Sequence, residues 1–551
     1  MNLPELEESQ SIFDRSTRFW PRVAQWILIA VGFGIIPIAF LVVALQVTKA
    51  SGPQWLGSNF ENPYMYLFNS LLVANGKPAY QYQHPGATTE LFGALCLKLS
   101  GRGSGERLVK AVIDNPERTI KNLHRPLLVL CTAALWIFPL LAALRTRSAT
   151  TGLLLQAPLL FFSTIYRYSI WYSSDLLLLV PSIATTSICV ILLCEREEGA
   201  VHLLTCAFAG MSCGLGVATK LTFFPLILVA IFCCWGAKRL LSFAAGFCLA
   251  ATLALIPIYS ELQMAIDWVV ALATHSGYYG GGDVGFPRAD TYIPYIVLLI
   301  SREPATILIA LFATAATVAL GLKARRLDVT SAGMSAAWTA VGIFILQIFS
   351  LLFIAKHASP HYLIPLYVST GINLALLYRA SQMLGGVGLP KLLVPGISIA
   401  VFAAGATHMF VTTPWLFETL SEYKRDQLAI HARVKQKTKD AIVVEYYRSI
   451  SPEFALYFGD SFAGRAFSQE LAARYPNHMF LSLWTGYFDT FSSLMDRDTI
   501  TQKYRHLYFF GNRNQYTAEE RANLKYFDAK GLSEIDSQGP YVLQEWIRPQ
   551  D

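Results

Sequence analysis

Charged residues are sparse in this 551-residue chain: Asp, Glu, Lys and Arg make up 15% of it, against roughly 25% in a soluble domain. With 54% hydrophobic residues beside that shortfall, an ordinary soluble globule is excluded. Cysteine is missing after Cys248, and the nine present, from Cys96 onward, form no CxxC pair. They read as small buried residues in apolar segments; neither a disulfide framework nor a zinc site is supported. There is no P-loop, no H-E-x-x-H, and no G-x-G-x-x-G after the first strand of the C-terminal region, so nucleotide binding and zinc proteolysis are not indicated. Internal repeats are also absent, which weighs against an inverted-repeat transporter.

Long uncharged runs fill the space that charge leaves. From Val23 to Val47 no charged residue occurs, enough to cross a ~30 Å hydrocarbon layer. That run is too long for a signal-peptide core, and no small-residue cleavage site follows it. Hydropathy gives about eleven spans, near 23–47, 126–144, 149–165, 175–194, 201–219, 221–236, 240–260, 303–322, 334–354, 361–380 and 391–413; the third and sixth are short. The net charge of +7 comes largely from Lys and Arg beside these spans, which reads as topology rather than nucleic-acid binding. Arg15, Arg18 and Arg22, Arg145 and Arg147, Arg196, Lys238 and Arg239, Lys323, Arg325 and Arg326, and Arg379 with Lys391 all fall on one side if the N-terminus is cytoplasmic. The opposite face then receives residues 48–125, 261–302 and everything after Thr413.

The expected architecture is an α-helical polytopic membrane module over residues 1–413, with amphipathic helices in its first external loop, and a small extracytoplasmic α/β domain over 414–551. In that domain Ala441–Tyr447, Met479–Trp484, His506–Phe510 and Tyr541–Trp546 read as strands. Helical stretches lie between them, one opened by a capping box of Thr517 and Glu520.

Polar chemistry gathers on the external face. Glu61 follows Asn59 and precedes Pro63, where a helix begins; an acid there also suits the helix dipole. Leu67, Leu71, Leu72 and Val73 continue at helical spacing, and Gly76-Lys77-Pro78-Ala79-Tyr80 and the turn His84-Pro85-Gly86 follow. The stretch from Tyr166 to Asp175 carries Arg167, Tyr168, Trp171 and Tyr172, an interfacial aromatic belt or a sugar platform, with Asp175 an N-cap or a site acid. Lys220 stands alone between two spans on the external side, against the positive-inside trend, which favours an anion site. Lys356, His357 and His361 crowd a second external turn where topology needs no positive charge. A carboxylate that deprotonates an acceptor hydroxyl, beside Lys and His groups that stabilise a phosphate leaving group, is one chemistry that suits this mix.

The order of these elements resembles the GT-C superfamily of lipid-dependent glycosyltransferases, near the bacterial protein O-mannosyltransferases and the lipid A aminoarabinose transferase. The similarity covers nearly all of the membrane part: an acid soon after the first span, a helix ending like Gly76–Tyr80, the turn at His84-Pro85, Asp175, Thr219-Lys220, and His361–Pro365. Two positions depart: Glu61 stands where Asp is common, and His361 where Arg is frequent. The resemblance implies a GT-C-like fold, a polyprenyl-phosphate-linked sugar donor, a glycan, lipid or protein acceptor, and inverting transfer in a bacterial inner membrane. Glu61 would be the base and Asp175 would orient the acceptor or a metal. Lys220, Lys356, His357, His361, His84 and Arg167 would lie near the donor phosphate. A divalent metal is compatible, but two carboxylates are too few ligands to argue one. The alternatives are a transporter or flippase of lipid-linked sugars, disfavoured by the scarcity of ionisable residues deep in spans, and an oligosaccharide ligase or polymerase. Gly280-Gly281-Gly282-Asp283 fits the G-x-G-D of intramembrane aspartyl proteases by letter, but with Tyr278, Tyr279 and Arg288 beside it reads as an external loop.

The orientation is testable with alkaline phosphatase fusions. Fusions within 261–302 or after 437 are expected to be active, and fusions after Arg147 or Arg326 inactive; the reverse pattern would refute the charge-based topology.

Overall fold

The computed structural model describes residues 31–56, 63–83, 86–101, 103–194, 199–277, 280–285, 287–326, 331–385, 393–439, 441–446, 449–482, 485–514 and 518–548. Among them, nine helices are long and apolar enough to cross a membrane, and the chain is a multi-pass membrane protein. In their described residues, all eleven segments expected from hydropathy are largely helical. The third and sixth are the short ones, Ala149–Leu160 and Leu221–Cys233. Each contains a 3-10 turn with proline at or just after it: Ala157–Leu160 holds Pro158, and Leu221–Phe223 leads into a helix with Pro225 in its first turn.

The membrane helices approach closely through small residues. Between Ala200–Thr219 and Ala237–Leu255, a Cβ added at Gly210 would lie 1.9 Å from the Phe243 carbonyl oxygen, and one at Gly246 2.1 Å from that of Ala207. Backbones pack directly here, the geometry that compensates for the weak hydrophobic drive between helices in lipid. Two helices, Ser174–Cys194 and Pro360–Gln382, are largely wrapped by protein and form the interior of the bundle.

The last membrane helix departs most from the hydropathy reading. It runs without a break from Leu393 to Lys437, through Thr413 and Pro414. At 1.5 Å per residue its 45 residues reach roughly 65–70 Å, about twice the hydrocarbon thickness. Its far end carries the C-terminal sheet of seven strands in the order β4-β3-β2-β1-β5-β7-β6. These are β1 Val443–Glu445, β2 His478–Leu481, β3 Phe488–Asp489, β4 Leu494–Met495, β5 His506–Asn512, β6 Ser533–Gln538 and β7 Tyr541–Ile547. The four strands read from hydropathy are present with shifted ends, and β3, β4 and β6 are additional. Two- and six-residue strands of mixed polarity carry little periodic signal. The Thr517–Glu520 cap lies outside the described residues in its first member; the helix itself is Ala518–Asp528.

β1 pairs in parallel with β2 and β5, and the outer pairs are antiparallel. One sheet face buries Val443, Phe510 and Leu543 against Ile430 and Val434 of the long helix, while the other buries Val444, Met479, Phe509 and Trp546. Arg433 and Lys437 both pair with Asp536 of β6, at 3.0 and 2.9 Å. The domain also sits on the first external loop. Its helix Pro452–Ser461 brings Gly459 against Tyr64 of helix Pro63–Ala74, Asn69 Nδ2 donates to the Phe462 carbonyl, and Arg474 pairs with Asp114 at 2.7 Å.

Overpacking the close helix crossing is expected to cost about 1–3 kcal/mol. Gly210→Val should lower the detergent-solution Tm of the full chain, while Gly32→Ala, whose added Cβ meets nothing within 4 Å, should leave it unchanged.

Candidate functional site

Asp175 lies in the first turn of the interior helix that begins at Ser174, where unpaired backbone N–H groups favour an anion. Its Oδ1 accepts from Lys220 Nζ at 2.8 Å. Lys220 occupies the extended joint between helix Ala200–Thr219 and the 3-10 turn Leu221–Phe223. Both side chains are buried, Lys220 completely. A fully buried ammonium requires a buried anion, because the desolvation cost of either charge alone is several kcal/mol. His361 approaches from a third segment, its Nε2 3.9 Å from Asp175 Oδ2 and its Nδ1 2.7 Å from the Ser359 hydroxyl. The Tyr168 and Tyr362 rings flank this imidazole at 4.4 and 4.3 Å, and Lys220 Nζ lies 4.7 Å over the Tyr362 ring. One acid therefore stands against two nitrogen bases inside an aromatic box.

Hydrogen bonds to backbone hold the box. Glu303, buried, accepts from the Thr164 amide and hydroxyl and from the Ser163 hydroxyl, fixing the start of helix Ser163–Tyr168. His124 Nε2 lies 2.8 Å from the Ser169 carbonyl, and Gln54 bonds both the Ile170 carbonyl and the Tyr172 amide. From the first external loop, Tyr66 donates to Ser174 Oγ at 2.8 Å. The same loop reaches the lysine side: Gly86 N donates to the Thr219 carbonyl, and the Thr88 and Thr219 hydroxyls are 2.7 Å apart.

Beside this cluster opens an apolar groove of about 550 Å3, lined by Leu221, Val269, Phe349, Phe353 and Tyr362 together with Lys356 and His357. Tyr362 belongs to both, so groove and cluster are contiguous. Lys356 donates to the Leu272 carbonyl. Burial holds its amine below the usual range, and burial with the adjacent ammonium pushes His357 down to about 4, leaving that imidazole neutral at pH 7.

The structure thus brings Asp175, Lys220 and His361 together and sets Lys356 and His357 in the adjoining groove. Arg167 is exposed on helix Ser163–Tyr168. Glu61 and His84 lie outside the described residues. Lys220 and His361 are the groups that face the Asp175 carboxylate, 2.8 Å from Oδ1 and 3.9 Å from Oδ2. One acid escaped the sequence reading. Glu90, in helix Ala87–Leu99, is completely buried, and its carboxylate oxygens find no partner among the described residues. Burial pushes its carboxyl well above the usual range. The signal was present: a single acid in the first turn of the apolar helix that follows His84-Pro85.

The sequence matches no known protein-family profile and no curated protein. Among solved structures the fold is similar to that of ArnT from Cupriavidus metallidurans in the apo state. The identity is 12%, the TM-score 0.51, and the match covers 92% of this chain and 97% of that one. ArnT bound to undecaprenyl phosphate aligns at 11% identity and a TM-score of 0.48, over 92% and 97% of the two chains. The archaeal oligosaccharyltransferase AglB from Archaeoglobus fulgidus, in complex with an inhibitory peptide and a dolichol-phosphate, aligns at 11% and 0.42, over 92% of this chain and 74% of that one. The first of these likenesses establishes the fold, which is the GT-C-like arrangement the sequence resemblance implied.

Removing one partner of the buried pair strands the other. Lys220→Met is expected to destabilise the chain by about 3–5 kcal/mol, and adding Asp175→Asn to recover most of that loss, measured by thermal unfolding in detergent. Additive losses in the double variant would contradict the pairing.

Proposed function

We propose that this chain is a glycosyltransferase acting at the extracytoplasmic face of a bacterial plasma membrane. It moves a sugar from a polyprenyl phosphate to a glycan, lipid or protein acceptor, with inversion at the anomeric carbon. The observation that carries this reading is the adjacency of a buried acid–ammonium–imidazole cluster to an apolar groove of about 550 Å3 whose lining includes a lysine and a histidine. A lipid-phosphate donor has the same division, an apolar tail and an anionic head. The ArnT-like fold supports the same reading.

In the proposed step the acceptor hydroxyl gives its proton to Glu61 as its oxygen attacks the anomeric carbon. The bond from that carbon to the phosphate oxygen breaks, and its electron pair leaves with polyprenyl phosphate. Lys356, in the lining of the groove, meets the growing phosphate charge. Asp175 holds Lys220, and through it the side of the pocket on which His361 stands. His357, neutral at pH 7, contributes as a hydrogen-bonding group rather than a charge. Arg167 and His84 would meet the donor at the external surface.

Purified chain in vesicles with a polyprenyl-phosphate sugar supplies the test. Glu61→Gln is expected to reduce transfer by about 10²–10⁴-fold, while Lys356→Ala chiefly raises the KM for donor. Turnover like wild type in Glu61→Gln would refute the base assignment, and movement of the sugar lipid across the bilayer without glycoside formation would favour a flippase.

A further inference from the structure

The C-terminal domain carries a second polar centre, far along the chain from the groove. Glu445 ends β1 with its carboxylate buried under the long helix. Its Oε2 accepts from the Ser449 and Ser451 hydroxyls, which leaves Oε1 aimed at His478 Nδ1, 3.2 Å away. His478 opens β2 and is paired in register with Val443, so it lies on the same sheet face as Glu445. Glu453 joins from the first turn of helix Pro452–Ser461, whose N-cap is Ser451. One ligand atom from each of the three lies within 4.8 Å of the others.

We propose that Glu445, Glu453 and His478 bind a divalent transition metal, zinc by preference, in the C-terminal domain. Two carboxylate oxygens and one imidazole nitrogen form a mixed donor set suited to zinc. The separation of Glu445 Oε1 from His478 Nδ1 is close to the edge of a zinc tetrahedron, about 3.3 Å for ligands near 2.05 Å from the ion. The Ser449 and Ser451 hydroxyls orient the Glu445 carboxylate, as partners behind a metal ligand do. The three residues line a cavity of about 640 Å3, so an ion has access from solvent and a coordination position remains open. His431 and Lys435 of the long helix face the same cavity, with Asn477.

The location gives the ion a consequence. His431 belongs to the helix that rises from the membrane, and its ring packs 4.9 Å from Trp55 of the first external loop. With ligands on β1, β2 and helix Pro452–Ser461, the metal would tie the sheet to the helix that packs against Tyr64 of helix Pro63–Ala74. This site is independent of the proposed transfer reaction.

The test uses the full-length chain in detergent, purified without a histidine tag and stripped with a chelator. Titration with Zn2+ alone is expected to show one site whose affinity falls at least tenfold in Glu453→Gln and in His478→Gln, each still monodisperse. Co2+ should give visible d–d absorption in the wild type that both variants lose. Zn2+ is also expected to raise the Tm of the wild type but of neither variant. Failure of Zn2+ to bind, or binding and a Co2+ spectrum indifferent to both substitutions, would overturn the proposal.

Discussion

The buried pair of Asp175 and Lys220 is the constraint around which the surrounding part of the membrane module is organised. Neither charge is stable there alone, so the helix that starts at Ser174 and the joint after Thr219 must stay in register to within hydrogen-bond distance. The surrounding bonds serve that requirement. Glu303 fixes the turn before the aspartate, Gln54 and His124 hold the backbone at Ser169–Tyr172, and Thr88 grips Thr219 beside the lysine. Held this way the pair is a fixed, net-neutral element whose two charges stabilise each other.

Around that centre the fold has three layers with different physics. Inside the bilayer, glycines let helices touch backbone to backbone. At the surface, helices of the first external loop bury nearly every residue of Pro63–Ala74 between the bundle and the C-terminal domain. Beyond them the sheet is seated on the far end of the continuous helix Leu393–Lys437.

Much of the fold was legible in the sequence because lipid imposes a simple code. A segment that crosses it must be helical and apolar, so the hydropathy segments reappear as helices, several of them extended beyond the expected ends. Asp175 and Lys220 were legible as candidates for the same reason, since each is an ionisable group at the end of an apolar run. Their mutual contact was not legible: they are 45 residues apart, and no spacing rule connects them. Glu90 was overlooked because burial, not residue type, makes it unusual. The short strands β3 and β4, two residues each, were illegible because such lengths hold no period.

By itself the sequence determined that this is a multi-pass membrane protein, with about eleven apolar helices and a terminal α/β domain, and it offered Asp175, Lys220, Lys356, His357 and His361 as candidate groups. These are properties of single segments, set by transfer free energy and local propensity. Only the tertiary structure decided which of those groups meet. It joined Asp175 to Lys220 and His361, opened the apolar groove beside Lys356 and His357, and gathered Glu445, Glu453 and His478 on one sheet face. Contacts between distant segments depend on packing and strand register, which no local pattern encodes.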